Sequence, residues 1–224
     1  MKKIKNYKQY ITEKVLIENN YDEMIAELQS IGGDTIRLED LIAVGDKYDV
    51  DFYDYRTFKE TLNEVDTETA PPPGMTPFFG FFNKHKNRVS MVVDQIERNG
   101  DVQKRMLLSF PPHPGLFKEM LEHESVHVQQ FDRNKSGIYN LPNPGDMKGY
   151  FSDKNEIMAF SQSLAKYALE HNATKETILD VLAGHQLWQD IKRANLDQEV
   201  MQRYMKYVYM YFDQYTNPTK EEIV

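Results

Sequence analysis

The sequence predicts an α+β fold: a small antiparallel sheet packed on a pair of helices, with additional helices at the N- and C-termini. Three features of the chain point to it. Apolar residues recur at three- and four-residue steps between 7 and 65 and again beyond 116. Residues 78–110 instead have the short apolar runs and turn signals of strands. A proline-rich stretch separates the two patterns, dividing the chain into an N-terminal helical region (1–66), a linker (67–77) and a domain (78–224).

Residues 7–30 read as one or two helices, with Tyr10, Ile11, Val15 and Leu16, then Tyr21, Met24, Ile25 and Leu28, and Gly32-Gly33 as the stop. Residues 38–48 repeat the pattern, 50–53 are a short extended piece, and 55–65 are helical again. Ala70-Pro71-Pro72-Pro73-Gly74 cannot join a regular element, because consecutive prolines lock an extended backbone and remove its donors. Beyond it, 78–83 and 89–97 read as strands, and Asn99-Gly100 is a two-residue hairpin signal leading into a third strand over 102–110. Pro111, Pro112, Pro114 and Gly115 mark a loop, after which Leu116, Phe117, Met120, Leu121, Val128 and Phe131 form the stripe of an amphipathic helix. The long connection 132–151 carries Gly137, Pro142, Pro144, Gly145 and Gly149, and loops of that length are often functional. Helices are expected over 154–171, 174–187 and 197–215. The last carries Tyr204, Tyr207, Val208, Tyr211, Phe212 and Tyr215, a stripe suited to core packing or to a protein partner.

At 224 residues the chain can bury a substantial core. Its net charge of −8 and acidic surface argue against nucleic acid, because phosphate contacts need clustered Lys and Arg. The two short helices around residue 50 could suggest a helix-turn-helix, but Asp49, Asp51, Asp54, Glu60, Glu64 and Asp66 surround them. No apolar run approaches the roughly 20 residues of a membrane span, and the N-terminal segment lacks the apolar core of a secretion signal, so an intracellular location is expected. The absence of cysteine excludes disulfides and thiolate metal sites, leaving any metal to His, Asp and Glu.

That last point directs attention to His123-Glu124-Ser125-Val126-His127. On a helix the two histidines lie four apart on one face, so both imidazoles can reach a single ion, with Glu124 beside it. Zinc suits the arrangement: imidazole is a preferred ligand, and a water on the ion becomes acidic enough to lose a proton near neutral pH to a neighbouring carboxylate. An amphipathic helix with two half-buried histidines would show the same letters.

A catalytic zinc usually takes a third protein ligand. The metzincin pattern needs Gly at 130 and His at 133, where this chain has Gln130 and Arg133. Asp132, Asp146, Asp153 and Glu156 remain, and Glu156 is preferred because Phe160 and Leu164 share its helix side and turn it inward. Alternatively, Asp153 and Glu156 form a capping box.

His123-Glu124-Ser125-Val126-His127 followed by Asn155-Glu156 resembles the gluzincin arrangement of thermolysin-type zinc metallopeptidases. The resemblance implies a zincin-like active-site helix pair, zinc held by His123, His127 and Glu156, and Glu124 as general base. It covers only the two helices. The family motif has an acidic residue four positions after the ligand Glu, orienting a zinc histidine; here that residue is Phe160, so the orienting group must come from elsewhere. The segments 5–13, 70–79 and 156–160 are similar to metallopeptidase-like proteins of tailed bacteriophages, which implies a host-cytoplasmic or virion-associated location.

The expected function is therefore zinc-dependent hydrolysis of a peptide or protein substrate, laid as an added strand along the 89–97/102–110 hairpin. His185 and Tyr150, with His171 and Tyr139, are candidates for stabilising the transition state; His85 and His113 read as solvated. Two alternatives stand beside it: a non-enzymatic phage virion or host-interaction protein that retains a peptidase-like fold, and a structural zinc site, which would need a fourth protein ligand.

Overall fold

The computed structural model describes residues 20–55, 58, 79–83, 86–94, 100–108, 115–133 and 146–217. The expected helix before residue 20, most of that over 55–65, the linker 67–77, and His85, His113 and Tyr139 lie outside them.

The fold is α+β. Helix α1 (Tyr21–Ser30) leads to strand β1 (Thr35–Arg37), helix α2 (Leu38–Lys47) and strand β2 (Val50–Asp54). Strands β3 (Phe79–Asn83), β4 (Arg88–Val93) and β5 (Asp101–Gln103) follow, then the short helix α3 (Lys104–Leu108) and the long helix α4 (Leu116–Arg133). Helices α5 (Met147–Ser152), α6 (Lys154–Glu170), α7 (Ile178–Leu182), α8 (Gln186–Arg193) and α9 (Gln198–Thr216) complete the described chain.

The sheet departs from the expected antiparallel hairpin. β4 lies between β2, which is parallel to it, and β3, which is antiparallel, in the order β2-β4-β3. Residues 101–103 pair instead with β1, antiparallel, and 104–108 turn helical. Gly100 helps to divert the chain: with φ of 84°, in the left-handed region that glycine adopts freely, it presents its carbonyl to the Leu38 amide at 2.9 Å and so serves the N-terminus of α2. The helix expected over 174–187 is also broken, because His185 is extended between α7 and α8.

Among the described residues two large hydrophobic cores result, and Phe58, Phe81 and Val92 make a third, small cluster. In the first, Tyr21, Met24 and Leu28 of α1, Leu41 and Val44 of α2, Val50 and Phe52 of β2, and Val89, Met91 and Val93 of β4 enclose Phe117 and Leu121 of α4. Helices α1 and α2 and strand β2 thus share a core with β4, Val102, Leu107 and the start of α4, and β2 hydrogen-bonds across the 67–77 boundary to β4. Within this core Gly45 lets α2 lie close against β2, since a Cβ there would collide with the Val50 carbonyl oxygen and the Phe52 ring. In the second core, Ile157, Leu164, Ala165 and Ala168 of α6 receive Tyr204, Val208, Tyr211 and Phe212 of α9. Of the α9 stripe, Tyr204, Val208, Tyr211 and Phe212 are buried and Tyr207 and Tyr215 half-buried, and the Tyr204 hydroxyl donates to the Phe151 carbonyl at 2.9 Å. No helix among the described residues is long and apolar enough to cross a membrane.

Candidate metal centre

The site lies where the two cores meet. Helix α4 is anchored in the first core by Phe117 and Leu121, one turn apart, and Phe131 packs on Phe82 of β3 with ring centroids 5.2 Å apart. This leaves the next stripe of α4, Glu119-His123-His127, facing the second half of the molecule. His123 and His127 are both buried, with ring centroids 4.8 Å apart.

Glu156 arrives from α6. Asp153 caps that helix, its Oδ1 accepting from the Asn155 amide at 2.7 Å and the Glu156 amide at 3.3 Å. The Glu156 carboxylate turns away from the cap into the interior, at 3% exposure, with Oε2 3.1 Å from His123 Nε2 and Oε1 3.3 Å from His127 Nε2. The two Nε2 atoms are themselves 3.1 Å apart. Among the described residues these three side chains form the one group of His, Asp and Glu able to hold an ion. Of the other candidates, Asp146 caps α5 by accepting from the Gly149 amide and Asp153 caps α6, while the Asp132 side chain lies outside the described residues.

The charges follow from burial and contact. Burial disfavours an imidazolium at His127, but the adjoining Glu156 carboxylate outweighs it and raises the pKa to about 9. Burial likewise opposes ionisation of Glu156, yet the two imidazoles hold its carboxyl well below the usual carboxylate range. Burial pushes the Glu124 carboxyl upward; His123 and His127 pull it down, Glu156 adds to the rise, and the Phe82 backbone N–H that donates to it opposes. β3 comes close here: a Cβ on Gly80 would stand 3.2 Å from Glu124 Cγ.

Tyr150 is brought to the site from α5. Its phenol donates to Glu156, and burial, with the negative charges of Glu156 and Glu124, drives its pKa well above the ordinary value. His185 is placed elsewhere: it is buried against the Tyr167 ring, with centroids 4.2 Å apart, and its Nε2 is 3.9 Å from Glu119. His171 is exposed at the end of α6, beside the Tyr167 carbonyl.

Phe160 packs on His123 with the rings tilted by 35° and centroids 4.4 Å apart, and His123 Nδ1 has no hydrogen-bond partner among the described residues. His127 is served differently: its Nδ1 lies 3.0 Å from Gln130 Oε1, and Gln130 Nε2 donates to the Asn155 carbonyl at 3.1 Å. The sequence alone does not mark Gln130 as a site residue. Its spacing three residues after His127 placed it on the same face, but nothing in the sequence shows that a carbonyl of α6 stands opposite.

The donor set fits zinc. Tetrahedral ligands at roughly 2.0–2.1 Å from an ion stand about 3.3 Å from one another; here the two Nε2 atoms are 3.1 Å apart, with Glu156 Oε2 3.1 Å from the one on His123 and Oε1 3.3 Å from the one on His127. Protons cannot serve all three equally, because each Nε2 offers one in-plane position and the three contacts compete for it. No protein-family model, curated protein or solved structure matches the chain.

Proposed function

We infer that the chain is a zinc-dependent hydrolase of peptide bonds, in keeping with the resemblance of its two helices to those of thermolysin-type metallopeptidases. The buried convergence of His123 Nε2 and His127 Nε2 on the Glu156 carboxylate, whose two oxygens each approach one imidazole, carries this inference. Among the described residues no fourth His, Asp or Glu joins the group. Three protein ligands with a free position suit catalysis, whereas a structural site closes all four.

Zinc bound there would supply Lewis acidity toward a water and the scissile carbonyl. The protein's own residues do the rest. Glu124 sits beside the triad with its pKa raised by burial, which suits a group that takes a proton from the attacking water and delivers it to the leaving amine nitrogen. Tyr150 is the neutral phenol at hand to donate to the oxygen on which charge develops. Among the described residues β3 is one of the two outer strands of the β2-β4-β3 sheet, and it approaches Glu124 through Gly80 and the Phe82 amide. An extended peptide added along that edge would carry its backbone past the carboxylate, a different edge from the hairpin expected by sequence.

Glu124→Gln tests the proposal, using the purified protein with one equivalent of zinc and a mixture of unstructured peptides. The variant is expected to bind zinc as the wild type does and to lose cleavage. Wild-type protein that binds zinc without cleaving any peptide would favour the non-enzymatic alternative; equal cleavage by both proteins would remove Glu124 from the mechanism.

A further inference from the structure

Gln130 occupies an unusual position: a buried carboxamide with one end on a histidine of α4 and the other on the backbone of α6. The chemistry of the two ends fixes its orientation. A backbone carbonyl can only accept, so the group against Asn155 O must be the NH2 of Gln130, and Oε1 therefore faces His127. Oε1 can also only accept, so His127 Nδ1 must carry a hydrogen. In the neutral ring the lone pair then belongs to Nε2, the atom pointing at His123 and Glu156.

We propose that Gln130 is the positioning residue of the metal centre: it selects the Nδ1–H tautomer of His127 and, through Asn155, sets the distance between that imidazole and Glu156. The proposal rests on the zinc reading given above. It also answers what Phe160 leaves open. With an aromatic ring where the thermolysin-type motif carries an acid, His123 Nδ1 has no hydrogen-bond partner among the described residues, and the polar contact that orients an imidazole from its Nδ1 side is found at the other histidine. The contact is made to the residue immediately before Glu156, so one side chain governs ligands from both helices. A neutral amide also adds no charge to a buried site that already holds Glu124 and Glu156, which a carboxylate would.

The test uses the full chain and zinc or Co²⁺ alone. Gln130→Leu keeps the size and removes both hydrogen bonds. Zinc affinity, measured against a chromophoric chelator, should fall about ten- to a hundredfold, the visible Co²⁺ absorption should change, and the hydrogen-bonded Nδ1–H proton resonance of His127 should disappear. Gln130→Glu restores the acceptor for Nδ1–H and should recover that resonance and part of the affinity. Zinc binding within twofold of wild type and an unchanged Co²⁺ spectrum in Gln130→Leu would overturn the proposal. So would loss of affinity in both variants with the resonance retained, because Gln130 would then act by packing. His123→Ala separates this from failure of the zinc reading: if the wild type binds one zinc and His123→Ala none, the centre stands whatever Gln130 does. If neither binds, or both bind alike, the centre and its positioning residue fall together.

Discussion

Glu156 Oε1 stands 3.3 Å from His127 Nε2, and this contact joins the fourth turn of α4 to the first turn of α6. Both groups are buried, so removing one strands the other's charge. Glu156→Ala is expected to abolish zinc binding and to cost the zinc-free protein about 3 kcal/mol, read by urea unfolding at neutral pH. Loss of a capping interaction alone would cost about 1 kcal/mol and leave zinc in place. Retention of one zinc per chain would remove Glu156 from the ligand set.

The same contact predicts opposite pH dependences for the free and the loaded protein. In the zinc-free protein His127 is raised from 6.5 to about 9, so its stabilising contribution is complete below pH 6.5 and is lost as the pH climbs through 9. Glu156 is lowered from 4.5, so its contribution is present above pH 4.5 and is lost on acidification. Stability of the zinc-free protein should therefore decline between pH 6.5 and 9. Zinc must displace the His127 proton, so its affinity should rise by about tenfold per pH unit over the same window. Calorimetric titration in buffers of differing ionisation heat would count the proton; affinity independent of pH would contradict the assignment.

Gly80→Ala probes the approach of β3 to the proposed base. The added methyl would lie 3.0 Å from Met91 Sδ and 3.2 Å from Glu124 Cγ, so the carboxylate must shift by a few tenths of an ångström. Peptide cleavage should drop about tenfold, stability by about 1 kcal/mol, and zinc affinity not at all. A drop in zinc affinity equal to that in activity would place the damage at the ligands.

Tyr150→Phe removes the phenol that contacts Glu156. If the hydroxyl also serves the transition state, kcat should fall about a hundredfold with zinc stoichiometry unchanged. An effect on zinc affinity alone would confine Tyr150 to orienting the carboxylate.

Chelation should be felt well beyond the ligands. Zinc at a thousandfold excess over its Kd adds about 4 kcal/mol to stability. Hydrogen exchange should show the protection gained on loading concentrated in α4 and the first turns of α6, and Glu156→Ala should show none of it. Uniform protection across α9 as well would indicate global tightening instead.

The elements legible in the sequence were those whose apolar period is long and local. Helix α6 was expected over 154–171 and spans Lys154–Glu170; α9 was expected over 197–215 and spans Gln198–Thr216. The pairing of strands was not legible. β2 and β4 are parallel and nearly forty residues apart, so no turn signal announces them, while Asn99-Gly100 advertised a local hairpin. At the site, His123, His127 and Glu156 could be named from spacing and chemistry, because a helix puts i and i+4 on one face. Gln130 could not, since its importance depends on a carbonyl from another helix. Tyr150 and His185 looked equivalent in sequence; only tertiary packing separates the phenol that reaches Glu156 from the imidazole turned toward Glu119.

Phe117 and Leu121 root the two histidines in one apolar body, and Ile157 and Leu164 root the glutamate in the other. On the zinc reading, the ion is a rivet as well as a reagent. A molecule stripped of it would loosen along that seam in the same event that silences it, so inactivity and susceptibility to degradation would arrive together, with no dormant yet sturdy form between them.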